Sequence, residues 1–264
     1  MSWFRIKAVA RRHAFVLRRS PHRWFDIVVW PIVDAVLFGS LGVFVARQTP
    51  GANSSAGVAY LLTGILLFHV LYQVQIAQST GFLEETWSRN LLNLMTTPLR
   101  ETEYACGVAM FGLVKLAIGL SVVGVTAFIL FAFNILQIGW GLVPVVALLM
   151  VCGWAMSLFV MGLVLRFGPS ADVLAWGILF VVMPLSGVFY PVDALPGAFQ
   201  PIAYALPTTH AFTAARLLLG GEAMPWGELG LSAIGCVAVA IAGVAFITRM
   251  LSVFRQRGYV TRFS

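Results

Sequence analysis

Six stretches of roughly 20 apolar residues, the length that takes a helix across the hydrocarbon of a bilayer, dominate this sequence. They lie near Phe25–Ala46, Val58–Ser79, Tyr104–Phe133, Leu142–Leu165, Val173–Tyr190 and Leu229–Leu251. Of the 264 residues 60% are hydrophobic and only 10% charged, too few polar side chains to cover a water-facing surface, so the surrounding solvent must be lipid. An unpaired backbone N–H or C=O in lipid is too costly for open sheets, which leaves helices. The expected fold is an all-α membrane protein: one unit over residues 1–264, with six transmembrane helices and little left for a soluble domain.

Charge placement orients the unit. Arg5, Lys7, Arg11, Arg12, Arg18, Arg19 and Arg23 precede the first run, and Arg249, Arg255, Arg257 and Arg262 edge or follow the last. The loops after the second and fourth runs add Arg89, Arg100 and Arg166, whereas the opposite side holds only Arg47 and Arg216. By the positive-inside rule both termini and the loop around Glu84 are cytoplasmic. The net charge of +7 is therefore read as a topology signal met by anionic headgroups, and no nucleic-acid partner is expected. Cys106, Cys152 and Cys236 fall in three different apolar runs with no CxxC, an arrangement that argues against disulfide or metal use. The basic start has no small-residue cleavage site and does not read as a signal peptide.

Residues 1–24 form no span. On a helix Trp3, Ile6, Ala10 and Leu17 share a stripe and arginines cover most of the rest, the pattern of an amphipathic helix in the membrane interface. Ser20-Pro21 then turns the chain inward. The first run carries Asp26 near the interface and Asp34 about two turns deeper, where a bare carboxylate costs on the order of 2.5–3.5 kcal/mol. Two readings fit Asp34, a group lining a translocation path or a polar lock between helices, with Lys115 of the third run as a candidate counter-charge. In the second run His69, Tyr72 and Gln73 lie together on a helix, with Gln75 and Gln78 on a neighbouring face. Such a stripe avoids lipid, either by lining an exit route or by gluing helices together. Gly153 and Ser157 form a small-xxx-small pair that permits close helix approach.

Between the second and third runs, EETWSRNLLNLMTTPLRETE (residues 84–103) is the densest acidic patch in the chain. Trp87, Leu91, Leu94 and Met95 recur at helical spacing, and Pro98 ends that period. The segment suits either a short helix lying on a soluble partner or a loop resting on headgroups. Farther on, Pro191, Pro196, Pro201 and Pro207 forbid a continuous span although the stretch stays apolar. That combination predicts short helices dipping into the outer leaflet and returning.

Two sets of residues carry a resemblance. Glu84-Glu85, Leu91-Leu92 and Thr96-Thr97-Pro98-Leu99 resemble the coupling segment of ABC type 2 exporter permeases. The stretch Ser186-Gly187 to Pro191 to Leu195-Pro196, followed by Leu206-Pro207-Thr-Thr-His210 and Arg216, resembles the external hairpin signature of the same family. The likeness covers nearly the whole chain and is nearest the lipo-oligosaccharide and drug exporter branch, with Leu206 favouring the former. It implies that residues 82–103, through Glu84, Glu85, Trp87, Arg89, Leu91, Leu94, Met95, Thr97 and Pro98, dock on a separate ABC ATPase. That subunit, in two copies, would hold the ATP and Mg. It also implies that residues 191–221 form a re-entrant hairpin gating the exit, with Ser186, Gly187, Pro191, Pro196 and Pro207 at the gate.

No GxxxxGK[ST], HExxH or GxSxG occurs, and Lys7 and Lys115 are the only lysines, so the chain has no phosphate-binding loop or recognisable catalytic motif. The expected function is a homodimeric permease of the bacterial cytoplasmic (inner) membrane. Such a permease exports an amphipathic or lipid-linked substrate past Asp34, His69, Tyr72, Gln73, Tyr190 and His210, with no cofactor, catalytic residue or metal of its own. The rivals are an intramembrane lipid-modifying enzyme using Asp34, His69 or His210 as acid and base, and an ion-gradient carrier.

Overall fold

The computed structural model describes residues 2–21, 24–48, 54–88, 90, 96–168, 171 and 173–257. Among them there is helix and no strand. The helices are α1 (Trp3–Arg19), α2 (Phe25–Gln48), α3 (Ser54–Trp87), α4 (Glu101–Phe131), α5 (Leu142–Phe167), α6 (Val173–Leu185), α7 (Gln200–Ala205), α8 (Pro207–Leu219) and α9 (Trp226–Arg257). Five helical stretches are long and apolar enough to cross a membrane: Phe25–Gln48, Ala56–Trp87, Thr102–Phe131, Ile135–Phe167 and Trp226–Phe254. The fifth apolar run of the sequence differs. Its helix, α6, has 13 residues, about 20 Å at 1.5 Å per residue, and stops one residue after Pro184. There Gly187 turns the chain with a φ of +69°.

Local sequence explains the irregular places. Pro31 has no N–H to return to the Ile27 carbonyl, and the first turn of α2 is accordingly a π-helix, Phe25–Val29, closed by the Trp30 N–H on the Phe25 carbonyl. Asn134 caps the 3₁₀ turn Ile135–Gly141 by accepting from the Leu136 N–H. Pro207 opens α8 at a position where a missing N–H costs nothing.

α3 is the axis of the bundle. It packs against α2, α4 and α5, and 78% of its most apolar window is buried, against 28% for α2 and for α4 and 17% for α9. Close backbone approach makes this possible. A Cβ on Gly153 of α5 would sit 2.9 Å from the Leu71 carbonyl oxygen, and one on Gly42 of α2 2.8 Å from the Val58 Cα. Gly153 with buried Ser157 thus forms the small-residue contact expected from their spacing. α5 and α9 run parallel. Leu148 meets Cys236, Ala155 and Leu158 meet Gly243, and Gly162 meets Phe246 and Met250. Cys152 and Cys236, distant in sequence, are brought into side-chain hydrogen-bond contact across that interface, which spacing alone did not suggest.

One glycine tests how tightly the hairpin is seated. A Cβ on Gly64 of α3 would collide with the Val188 carbonyl, whereas one on Gly124 of α4 meets nothing within 4 Å. Gly64→Ala is expected to destabilise the protein by about 1–3 kcal/mol through overpacking. Gly124→Ala should be neutral or gain up to about 1 kcal/mol from helix propensity. Thermal unfolding of both variants in detergent checks the pair.

Candidate functional site

Three polar regions stand out along the bundle axis. The first lies where α3 ends, α4 begins and α1 packs against both. Gly107 lets α4 approach so closely that a Cβ there would lie 2.6 Å from the Val9 Cβ. His13 stacks on Phe111 at 5.7 Å between ring centroids, and Tyr104 donates to the Gly81 carbonyl at 3.0 Å. The face of α1 turned inward is Ile6, Val9, Ala10, His13 and Leu17. Trp3, placed on that stripe by periodicity, is instead 59% exposed.

Two carboxylates fasten α1. Buried Glu85 receives both terminal nitrogens of Arg12, the second at 3.0 Å, and the Asn90 amide at 2.8 Å. The hydrogen bond that Arg12 donates to Glu85 raises the pKa of its guanidinium above the usual value, against burial that pulls it down. Buried Glu103 accepts from the Ser2 N–H at 2.6 Å, the Arg100 N–H at 3.1 Å and Arg5 at 3.3 Å, while Arg5 also donates to the Pro98 carbonyl at 2.6 Å. Of the expected coupling residues, Glu84 is partly buried, Glu85 faces inward, and Trp87, Thr97 and Pro98 are exposed. Trp87 belongs to the last turn of α3 rather than to a separate helix. Arg89, Leu91, Leu94 and Met95 lie outside the described residues.

The second region joins α2, α3 and α4 inside the bundle. Its hub is Asp26, which accepts from the Tyr72 hydroxyl at 2.7 Å and from Lys115 at 3.3 Å, while its backbone carbonyl accepts from the Gln73 amide at 3.4 Å. Lys115 is therefore the counter-charge of Asp26 and not of Asp34. Asp34, two turns along α2, faces His69 Nε2 at 3.8 Å. His69, Tyr72 and Gln73 are buried within the protomer, and the Gln73, Gln75 and Gln78 carbonyl oxygens have no hydrogen-bond partner. The structure thus gathers four of the expected path residues, Asp34, His69, Tyr72 and Gln73. It adds Asp26, expected only as an interfacial acid, and Lys115, expected as a counter-charge for Asp34.

The third region is the hairpin between α6 and α9, and it holds the other two expected path residues. His210 ties three elements: Nδ1 lies 2.7 Å from the Glu228 carboxylate and Nε2 3.0 Å from the Tyr204 carbonyl. Tyr204 in turn donates to Asp193 at 2.7 Å. Tyr190 is partly buried near the turn. The expected gate residues form a braced corner. Ser186 bonds to Thr208, and Arg216 donates to the Gly187 and Val188 carbonyls while lying 4.1 Å over the Tyr60 ring. Pro191 precedes the 3₁₀ turn Val192–Ala194, the Pro196 carbonyl accepts from the Phe199 N–H, and the Pro207 carbonyl accepts from the Ser232 hydroxyl at 2.9 Å.

The fastening of α1 admits a direct test. Arg12→Ala leaves the buried Glu85 carboxylate without its guanidinium, a loss on the order of 1–3 kcal/mol or more for a charged group. Adding Glu85→Gln removes the stranded charge and is expected to restore part of the loss. Thermal unfolding of the two single variants and the double variant measures the coupling.

Comparison with known proteins gives a concordant result. The ABC-2 type transporter family matches residues 5–219. The capsule polysaccharide export inner-membrane protein BexB of Haemophilus influenzae is 31% identical over 127 residues, 45% of this chain and 48% of that protein. CtrC of Neisseria meningitidis, also a capsule polysaccharide export inner-membrane protein, is 31% identical over 141 residues, 49% and 52% of the two chains. Nodulation protein J of Rhizobium meliloti is 33% identical over 99 residues, 36% of each chain. The match thus spans about half or less of each of these relatives. The family match runs from α1 to the end of α8, taking in most of the three polar regions but not Glu228 and Ser232 of α9, and this chain belongs to the ABC-2 type transporter family of membrane proteins.

Proposed function

We propose that this chain is the permease subunit of an ATP-driven exporter of the inner membrane. It would work as a homodimer with two copies of an ATP-hydrolysing partner, which would supply ATP and Mg, and would move a saccharide carried on a lipid or other amphipathic anchor outward. Membership of the family supports the class. The names of BexB and CtrC, both capsule polysaccharide export proteins, support the saccharide.

The observation that carries the reading is the rigid projection at the α1 end. α3 has 34 residues and α4 has 31, about 51 and 46 Å, whereas the hydrocarbon is about 30 Å thick. The excess gathers where α3 ends and α4 begins. There Arg12–Glu85 and Arg5–Glu103 clamp α1 against the projecting ends. A push on the exposed surface of Trp87, Thr97 and Pro98 therefore acts on three braced helices at once, not on a limp loop. In this reading Glu85 serves coupling from within, by holding α1.

Six crossings follow from the same reading. α5 and α9 run parallel, so the chain between them must return across the bilayer, and α6 with the turn after it makes that return. The hairpin turn at Val188 and Phe189 reaches Gly64 of α3 and Phe38 of α2, about 12–15 Å in from the outer ends of those helices at 1.5 Å per residue. This depth supports a re-entrant hairpin. The buried Asp26–Lys115 group would then lock α2, α3 and α4 as one body.

The test is co-purification with an ATP-binding subunit of an ABC exporter from the same cell, followed by transport in proteoliposomes. Trp87→Ala is expected to weaken the association at least tenfold, as for a tryptophan anchor, and to abolish ATP-dependent movement while the bundle stays folded. Undiminished association, or movement without ATP, would refute the proposal. Turnover of lipid by this chain alone would favour the enzymatic rival built on Asp34 and His69.

A further inference from the structure

Among the described residues nothing packs on the outward face of α1. α1 carries six cations and no acid, and the two carboxylates beside it use only Arg5 and Arg12. Lys7, Arg11, Arg18 and Arg19 are left pointing outward and exposed. On the same face Phe4 is 81% and Phe15 62% exposed. Phe4, Lys7, Ala8, Arg11, Phe15 and Arg19 border a hollow of about 680 Å³, with cations and aromatic rings alternating around a small-residue floor. Lys7 already lies over the Trp3 ring, 5.1 Å from its centroid.

Depth selects the occupant. α4 ends at Phe131, and about 20 residues back along it, the length that crosses the hydrocarbon, is Phe111. His13 stacks on Phe111, and Val9 and Ile6 meet Gly107 one turn farther out. The body of α1 thus occupies the layer about 5–8 Å thick that headgroups fill. A cationic face bearing exposed aromatic rings at that depth complements phosphate above and glycerol below.

We infer that the outward face of α1 is a binding site for the headgroups of anionic bilayer phospholipids. Lys7, Arg11 and Arg19 hold the phosphates, and Phe4 and Phe15 insert at the acyl boundary. The inference rests on α4 crossing the bilayer and is independent of which chain supplies ATP.

The experiment uses the full chain in detergent, titrated with short-chain phosphatidylglycerol or phosphatidylcholine and read by native mass spectrometry. The wild type is expected to prefer phosphatidylglycerol. The triple variant Lys7→Gln, Arg11→Gln, Arg19→Gln should lose that preference by at least about tenfold, the order expected for three surface cations. Arg47→Gln, at the other end of α2, should leave it unchanged. Salt at about 1 M, where the screening length falls to about 3 Å, should erase the preference in the wild type, a reading that does not depend on the variant folding. Equal binding of the two lipids by the wild type overturns the inference. So does a triple variant that keeps the preference but loses the ATP-binding chain or its second copy, because the face would then be a protein interface. Loss of ATP-driven transport with lipid preference intact counts only against the exporter reading.

Discussion

A helix that carries His69, Tyr72, Gln73, Gln75 and Gln78 in an otherwise apolar run cannot face lipid, because each bare polar group would lack a partner there. That constraint places α3 at the centre and arranges the other helices around it. α2 and α4 supply Asp26 and Lys115 to its polar side, and α5 closes on it through Gly153. The charged pair does not hold the bundle by Coulomb energy alone, since burying ions costs much of what their attraction returns. Its effect is to make one register of α2 against α3 and α4 better than its neighbours.

The two ends of that core are finished differently. At the α1 end, carboxylates are buried and arginines reach in from a third helix, so the projection of α3 and α4 moves as a block. At the hairpin end the contacts are mostly single hydrogen bonds to backbone carbonyls, from Arg216, Ser232 and Thr209, together with the His210–Glu228 bond. Bonds of that kind contribute about 0.5–1.5 kcal/mol each and can be exchanged one at a time.

Relatives named for capsule polysaccharide export share sequence with this chain over about half their length. None of the described side chains forms a cluster that would hold a metal. Of the polar groups buried among the described residues, Tyr72, Gln73 and Lys115 converge on Asp26, whereas the Gln75 and Gln78 carbonyl oxygens meet no partner there.

Much of the architecture was legible in the sequence. Apolar runs of span length, prolines between 191 and 207 and a basic start are local signals, and the described residues there are helical, with five of the six runs long enough to span and short helices among the prolines. Tertiary structure decided the rest. The fifth run shrank to the 13 residues of α6 because Pro184 and Gly187 end it early. Lys115 chose Asp26 over Asp34 across 89 residues of chain, and Cys152 met Cys236, since no local period reports which faces of distant helices meet. Glu85, conspicuous as an exposed acid in the sequence, turned inward once α1 offered Arg12. The physical reason is common to all of these. Lipid is as apolar as leucine, so an apolar helix bears no mark of which side faces protein, and only packing assigns it.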